Sequence, residues 1–315
     1  MKAVKVIVGI LAASIFGCLV CVAYAFAAHL IKGQAGDAVV RQILQISIWP
    51  SLMLVPMGMG VVAAWFWRKL EAGIGAYFLW SLLTTIVALG GAYFVFKEGT
   101  ICLVIVSPAL LVFIFAGTVV GRVWFKPKDG TLRLSIVPLM LLAILADAKL
   151  HEDREGFVTD EILVRARPEQ VWRHVVEFPE IKTAPDYWLF KIGLPSPSAT
   201  TCAGAFVGAD RRCIFSNGVE LKETVAELTP QKLLTFDIVE QPRDPELLGH
   251  LTLNRGQFTL RDNGDGTTTL LGKSWYVLHV RPLWYFDWWT RDITRHVHLR
   301  VMNHIKELAE NESAP

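Results

Sequence analysis

The sequence predicts two structures in one chain. An all-α transmembrane bundle over residues 1–150 precedes an α+β domain over residues 151–315, in which a long terminal helix packs across an antiparallel sheet. Three observations predict this. From Val4 to Ala148 the chain is dominated by Gly, Ala, Val, Leu, Ile and Phe, with charges only in short clusters. After Lys149 the composition becomes that of a globular protein, starting with the charged run His151–Glu155. The second part then alternates with period two through short segments divided by turn residues, and closes on one long segment of period 3.6. The mean hydropathy of +0.40 averages over these unlike halves.

A spanning helix needs about 20 mainly apolar residues. Val4–Ala28, Ile43–Trp67, Gly73–Phe96 and Thr100–Gly121 qualify. A fifth segment, residues 132–148 around Leu134–Ala146, is short; it reaches useful length when Arg133 and Lys149 snorkel to opposite interfaces. The first run is longer than the roughly 7–15 residues of a signal-peptide core, so it is read as a span. Lys2, Lys5, Arg68, Lys69, Arg122, Lys126, Lys128 and Arg133 fall on one side of this arrangement, and Lys32, Arg41 and Lys97 on the other. Basic loops stay in the cytoplasm. The expectation is a multi-pass plasma-membrane protein of bacterial inner-membrane type, with its N-terminus cytoplasmic. The soluble domain is extracytoplasmic if the fifth segment spans, and cytoplasmic if it lies at the interface. No Asp, Glu, Lys, Arg or His sits centrally in these runs, which argues against an ion or proton path. Pro50, Pro56, Pro108 and Pro138, with Gly58 and Gly60, permit kinks.

In the second part Val158–Arg167 reads as a strand. Pro168 opens a short helix whose apolar face is Val171, Trp172, Val175 and Val176, and Pro179 ends it. Arg211–Phe215 and Val219–Leu228 flank Ser216-Asn217-Gly218, a hairpin signal. Leu233–Val239 alternates, with Leu234, Phe236 and Ile238 on one face. Glu240–Leu253 reads as a polar loop. Gly256–Arg261 and Thr267–Val280 form a hairpin around Asp262–Gly266, and a helix runs over Leu283–Glu310.

The run Val164–Trp172, the segment Gly208–Phe215, Gly256-Gln257-Phe258 and the terminal helix from Ile293 to Glu310 resemble START-like domains. That superfamily includes polyketide cyclases, aromatases, dehydratases and lipid-transfer proteins. Together with Glu98–Cys102, the whole chain is similar to bacterial membrane proteins that carry such a domain. The resemblance implies a helix-grip fold: a curved sheet around the terminal helix, with an apolar cavity between them.

Glu223 alternates with Val219, Leu221 and Val225, so it shares their face. A three-residue Ser216–Gly218 loop sets Arg211 opposite Glu223, with Cys213 and Phe215 on the same face; a two-residue Asn217-Gly218 turn sets Arg212 there instead. Arg211 is preferred, because its spacing matches the family pattern. The pair is either a structural tie or a polar anchor for a ligand head group. On the terminal helix, Trp289, Ile293, Val297, Val301, Ile305 and Leu308 form one stripe with His304 near its middle, whereas Arg295, His296, His298 and Arg300 read as a solvated or rim face. Tyr276 shares the parity of Leu270 and Leu278. Leu221, Phe236 and Phe258 complete the expected cavity lining. Trp284, Tyr285, Trp288 and Trp289 have the density of interfacial anchors.

The function expected is binding of a lipid or other small hydrophobic molecule beside the bilayer. The alternatives are a cyclase- or dehydratase-type enzyme using Glu223, His304 or Tyr276 for acid–base chemistry, or a non-catalytic structural or regulatory membrane protein. No Ser–His–Asp spacing, P-loop, dinucleotide fingerprint or zinc motif is visible, so neither cofactor nor metal is expected. A net charge of +2, without a basic run outside the membrane loops, excludes nucleic acid as a partner. Cys202 and Cys213 are candidates for a disulfide if their strands oppose them.

Overall fold

The computed structural model describes residues 2–23, 48–125, 154–242, 251–280 and 282–312. The chain divides into two compact units, Met1–Glu152 and Asp153–Pro315.

Among the described residues of the first unit, three helices are long and apolar enough to cross a membrane. They are α1 (Lys2–Ala23), α3 (Ile74–Gly91, continued by a π-helical turn Ala92–Phe96) and α4 (Thr100–Trp124). Helix α2 (Ile48–Trp67) is apolar as well, and its stretch Leu52–Trp67 is shorter. The predicted fifth segment, and residues 24–28 and 43–47 of the first two, lie outside the described residues.

Small residues let these helices approach closely, as lipid-embedded packing favours. A Cβ on Gly60 of α2 would stand 2.1 Å from the Ile114 carbonyl oxygen of α4. One on Gly117 of α4 would stand 2.0 Å from the Met57 carbonyl oxygen of α2. Ser81 and Thr118 share a hydrogen bond of 3.2 Å between α3 and α4. Trp67 is fully buried and donates to the Val6 carbonyl of α1 at 3.3 Å.

The second unit is a seven-stranded antiparallel sheet in the order β1-β7-β6-β5-β4-β3-β2. Its strands are β1 (Arg154–Val164), β2 (Pro197–Cys202), β3 (Asp210–Phe215), β4 (Glu220–Thr229), β5 (Leu233–Glu240), β6 (Leu251–Asp262) and β7 (Thr268–Leu278). Two short helices, α5 (Pro168–Val176) and α6 (Trp188–Lys191), connect β1 to β2, and α7 (Leu283–Glu312) closes the chain. Strand β6 starts at Leu251, so the stretch read as a polar loop ends earlier than its composition suggested.

Proline at the first position and the Gln170 side chain, which accepts from the Arg167 N–H at 3.1 Å, start α5. Val171 and Val175 bury its apolar face. Register shifts at Lys222/Glu223, Val225/Glu227 and Leu253/Arg255 bend the sheet, because a bulge adds local twist. The inner face of the sheet and α7 enclose the core, which includes Val164, Val175, Phe178, Leu234, Leu270, Met302 and Ile305. A curled sheet gripping a long C-terminal helix is the helix-grip arrangement.

Candidate ligand cavity

Between the sheet and α7 lies a cavity of about 170 Å³. Its lining includes Arg211, Cys213 and Phe215 from β3, Leu221 and Glu223 from β4, Phe236 from β5, Phe258 from β6, and Ile293 and Val297 from α7. Alternation places these strand side chains inward.

The hairpin uses the three-residue loop. Phe215 N–H donates to the Val219 carbonyl at 2.9 Å, and Gly218 takes φ of +79°, a conformation suited to glycine. This register sets Arg211 opposite Glu223 and Cys213 opposite Leu221. Arg211 Nη1 donates to Glu223 Oε2, and both side chains are only 3% exposed. The Arg211 guanidinium also lies 4.3 Å from the centre of the Phe236 ring, and its Nε donates to the Val176 carbonyl at 3.3 Å. Arg212 instead faces out, with Glu220 at 3.6 Å. Burial pushes the Glu223 carboxyl above its ordinary value, while the charge and hydrogen bond of Arg211 pull it down. Burial and then the Glu223 charge push the Cys213 thiol up to about 12, so it is an un-ionised wall group.

Three residues expected in the lining are not part of it. Tyr276 is buried and inward, as its parity indicated, but its hydroxyl donates to Asp287 Oδ1 at 2.6 Å at the start of α7. Burial and this bond push it up to about 12. Trp289 packs against Trp188 and Trp288, with ring centres at 6.3 and 4.8 Å. His304 faces α5 and the segment after it: its ring meets Phe178 at 5.7 Å and its Nε2 donates to the Pro179 carbonyl at 3.2 Å. Burial lowers its basicity. Of the three groups expected for acid–base work, only Glu223 reaches the cavity.

For Trp289 and His304 the cause is the rotation of α7, which still brings Ile293 and Val297 to the cavity. Its buried residues are Asp287, Thr290, Thr294, His298, Val301, Met302, His304, Ile305 and Ala309. The apolar stripe was read one position away because the first half of the true inner face is polar. Asp287 is satisfied by Tyr276 and by Arg291 at 2.8 Å. His298, expected at a solvated rim, is 7% exposed and lines the cavity. It bonds to Asp160 and to Ser274, each at 2.8 Å. Sequence reasoning passed over Asp160, Ser274 and Thr294. Their signal was present: Asp160 shares parity with Val158 and Ile162, and Ser274 with Leu270 and Tyr276.

At the start of α7, Trp284 and Trp288 are 73% and 60% exposed. Cys202 and Cys213 are both free thiols. Cys213 pairs with Thr200 and Cys202 with Arg211, so the two cysteines are offset by a residue pair and do not oppose one another. Among the described residues no group of three or more His, Cys, Asp or Glu is placed to hold a metal ion.

Strand order, curl and gripping helix define the second unit as a helix-grip domain, joined to a region of apolar helices. Solved structures matching its half of the chain include norcoclaurine synthase from Thalictrum flavum: 14% identity over 50% of this chain and 95% of that one, TM-score 0.35. A protein of unknown function from Staphylococcus aureus matches with 14% identity over 51% and 98%, TM-score 0.37. A protein from Mesorhizobium loti matches with 19% identity over 50% and 98%, TM-score 0.33. No family model matches the chain, and no curated protein is similar to it in sequence.

Proposed function

We propose that the second unit binds a small hydrophobic molecule of lipid type in the cavity under α7, beside a bilayer crossed by the apolar helices. The cavity itself carries this reading: its walls are mostly apolar side chains, with a fully buried ion pair at one place. An apolar cavity of about 150 Å³ takes up a benzene-sized guest, so this volume suits one ring or a short alkyl segment. A ligand drawn from the bilayer reaches a tethered domain at high local concentration.

The test is to fill the space. Val297→Trp places an indole where α7 faces the cavity, at a stability cost of about 1–3 kcal/mol. The full-length protein in detergent is expected to bind a hydrophobic fluorescent dye, and native mass spectrometry should find a co-purified lipid. The variant should lose at least about tenfold in dye affinity, equivalent to about 1.4 kcal/mol. Unchanged affinity in a folded Val297→Trp protein would end this reading.

The basic loops support a cytoplasmic N-terminus, and a spanning fifth segment would put the domain outside the cytoplasm. Alkaline phosphatase fused after Pro315 should then be active in a bacterial host. An inactive fusion, with a fluorescent green-protein fusion at the same position, would reverse the placement.

A further inference from the structure

A hydrogen-bonded row crosses the cavity wall between β1, β7 and α7. Asp160 Oδ2 lies 2.8 Å from His298 Nδ1, and His298 Nε2 lies 2.8 Å from Ser274 Oγ. The side chains of Asp160 and His298 are 11% and 7% exposed. Ser274 and His298 both line the cavity. The ladder produces the grouping: Asp160 stands opposite Gly272, two residues before Ser274 on β7. Gly272 leaves room for α7, since a Cβ there would meet Met302 Sδ at 2.9 Å and would approach His298 Cγ to 3.8 Å. Gly256 stands opposite Ser274 on β6, so no side chain rises beside the serine from that strand.

The partners fix the protons. An ionised carboxylate only accepts, so Nδ1 of His298 carries the hydrogen. In the neutral imidazole Nε2 then presents its lone pair, and the Ser274 hydroxyl donates to it. A hydroxyl so bonded to an imidazole, itself oriented by a carboxylate, is the arrangement that turns serine into a nucleophile. His304, one helix turn and a half further on, is spent on a backbone carbonyl and lacks this order.

We propose that Ser274 is a catalytic nucleophile, with His298 as its general base and Asp160 as the positioning residue, and that the substrate is a carboxylic ester with a short apolar acyl group. Ser274 Oγ bonds to the ester carbonyl carbon while its proton passes to His298 Nε2. The carbon–oxygen bond to the alcohol then breaks, and the alcohol leaves with that proton. Water gives a proton to His298 and its oxygen bonds to the acyl carbon. The bond to Ser274 breaks, Oγ takes the proton back, and the acid departs. The sum is ester plus water giving acid plus alcohol. Thr294, one turn before His298 on α7 and also in the lining, supplies a hydroxyl for the developing oxyanion. Phe258, Ile293 and Val297 offer the acyl group an apolar wall.

This proposal rests on the cavity admitting a hydrophobic molecule, and one experiment separates the two. Dye binding is measured first on the untreated full-length protein in detergent; the protein is then treated with a short-chain alkyl fluorophosphonate, and the modified peptide is located by mass spectrometry. The expected result is a single adduct on Ser274. His298→Gln should abolish labelling and Asp160→Asn should slow it at least about 100-fold. Ser274→Ala should lose hydrolysis of p-nitrophenyl butyrate. Dye binding with Ser274 unmodified overturns the nucleophile and leaves the cavity standing; the row is then a structural tie. Loss of dye binding in the wild type overturns both. The presence or absence of the wild-type adduct decides the question even if a variant fails to fold.

Discussion

Arg211→Ala is expected to destabilise the second unit by about 3–5 kcal/mol, because it leaves the Glu223 carboxylate buried without its partner. The pair is nearly sealed from solvent, at 3% exposure on both sides, so water cannot replace the lost bond. The change also removes the guanidinium from the face of Phe236. Replacing both partners, as in Arg211→Met with Glu223→Leu, should cost much less, since no charge is then stranded. Denaturant titration of the full-length protein, read as protection of Cys213 from a bulky maleimide, reports on this region directly. A cost below about 1 kcal/mol, the range of exposed pairs, would contradict the burial argument. The double variant also divides the two roles of the pair. Retained dye binding assigns it to the fold; a folded protein that no longer binds assigns it to the recognition of a polar head group.

Gly117→Leu should separate α2 from α4. The new Cβ would meet the Met57 carbonyl oxygen at 2.0 Å, and that obstacle is backbone, which cannot swing aside as a side chain would. Helices in lipid gain their association from close packing, so the loss falls on the main contact of the first unit. The expected cost is at or beyond the top of the roughly 1–3 kcal/mol usual for overpacking. Gly90→Ala is the matched control, because nothing lies within 4 Å of its would-be Cβ. Heated in detergent and passed over a sizing column, the control should behave as wild type, whereas Gly117→Leu should lose its monodisperse peak at a lower temperature. Equal behaviour of the two would show that the α2–α4 contact does not hold the unit together.

The sequence by itself determined whatever depends on neighbours along the chain. Hydropathy separated the apolar helices from the globular unit, alternation gave most strands to within a few residues, and the turn at Ser216–Gly218 limited the partner of Glu223 to Arg211 or Arg212, with the family resemblance favouring Arg211. That pairing is local, because one tight turn fixes its register. Tertiary structure alone decided what depends on contacts across the chain. The rotation of α7 was misread because hydrophobicity marks a buried face only where that face is apolar, and here Asp287, Thr294 and His298 are buried with polar partners or against the cavity. The offset of Cys202 from Cys213 follows from the β2–β3 register, set by a ladder rather than by spacing. Asp160, Ser274 and His298 lie far apart in sequence, and each looks ordinary on its own element. They meet because the first strand pairs with the last and the final helix crosses both, an arrangement that side-chain packing selects and local pattern does not encode.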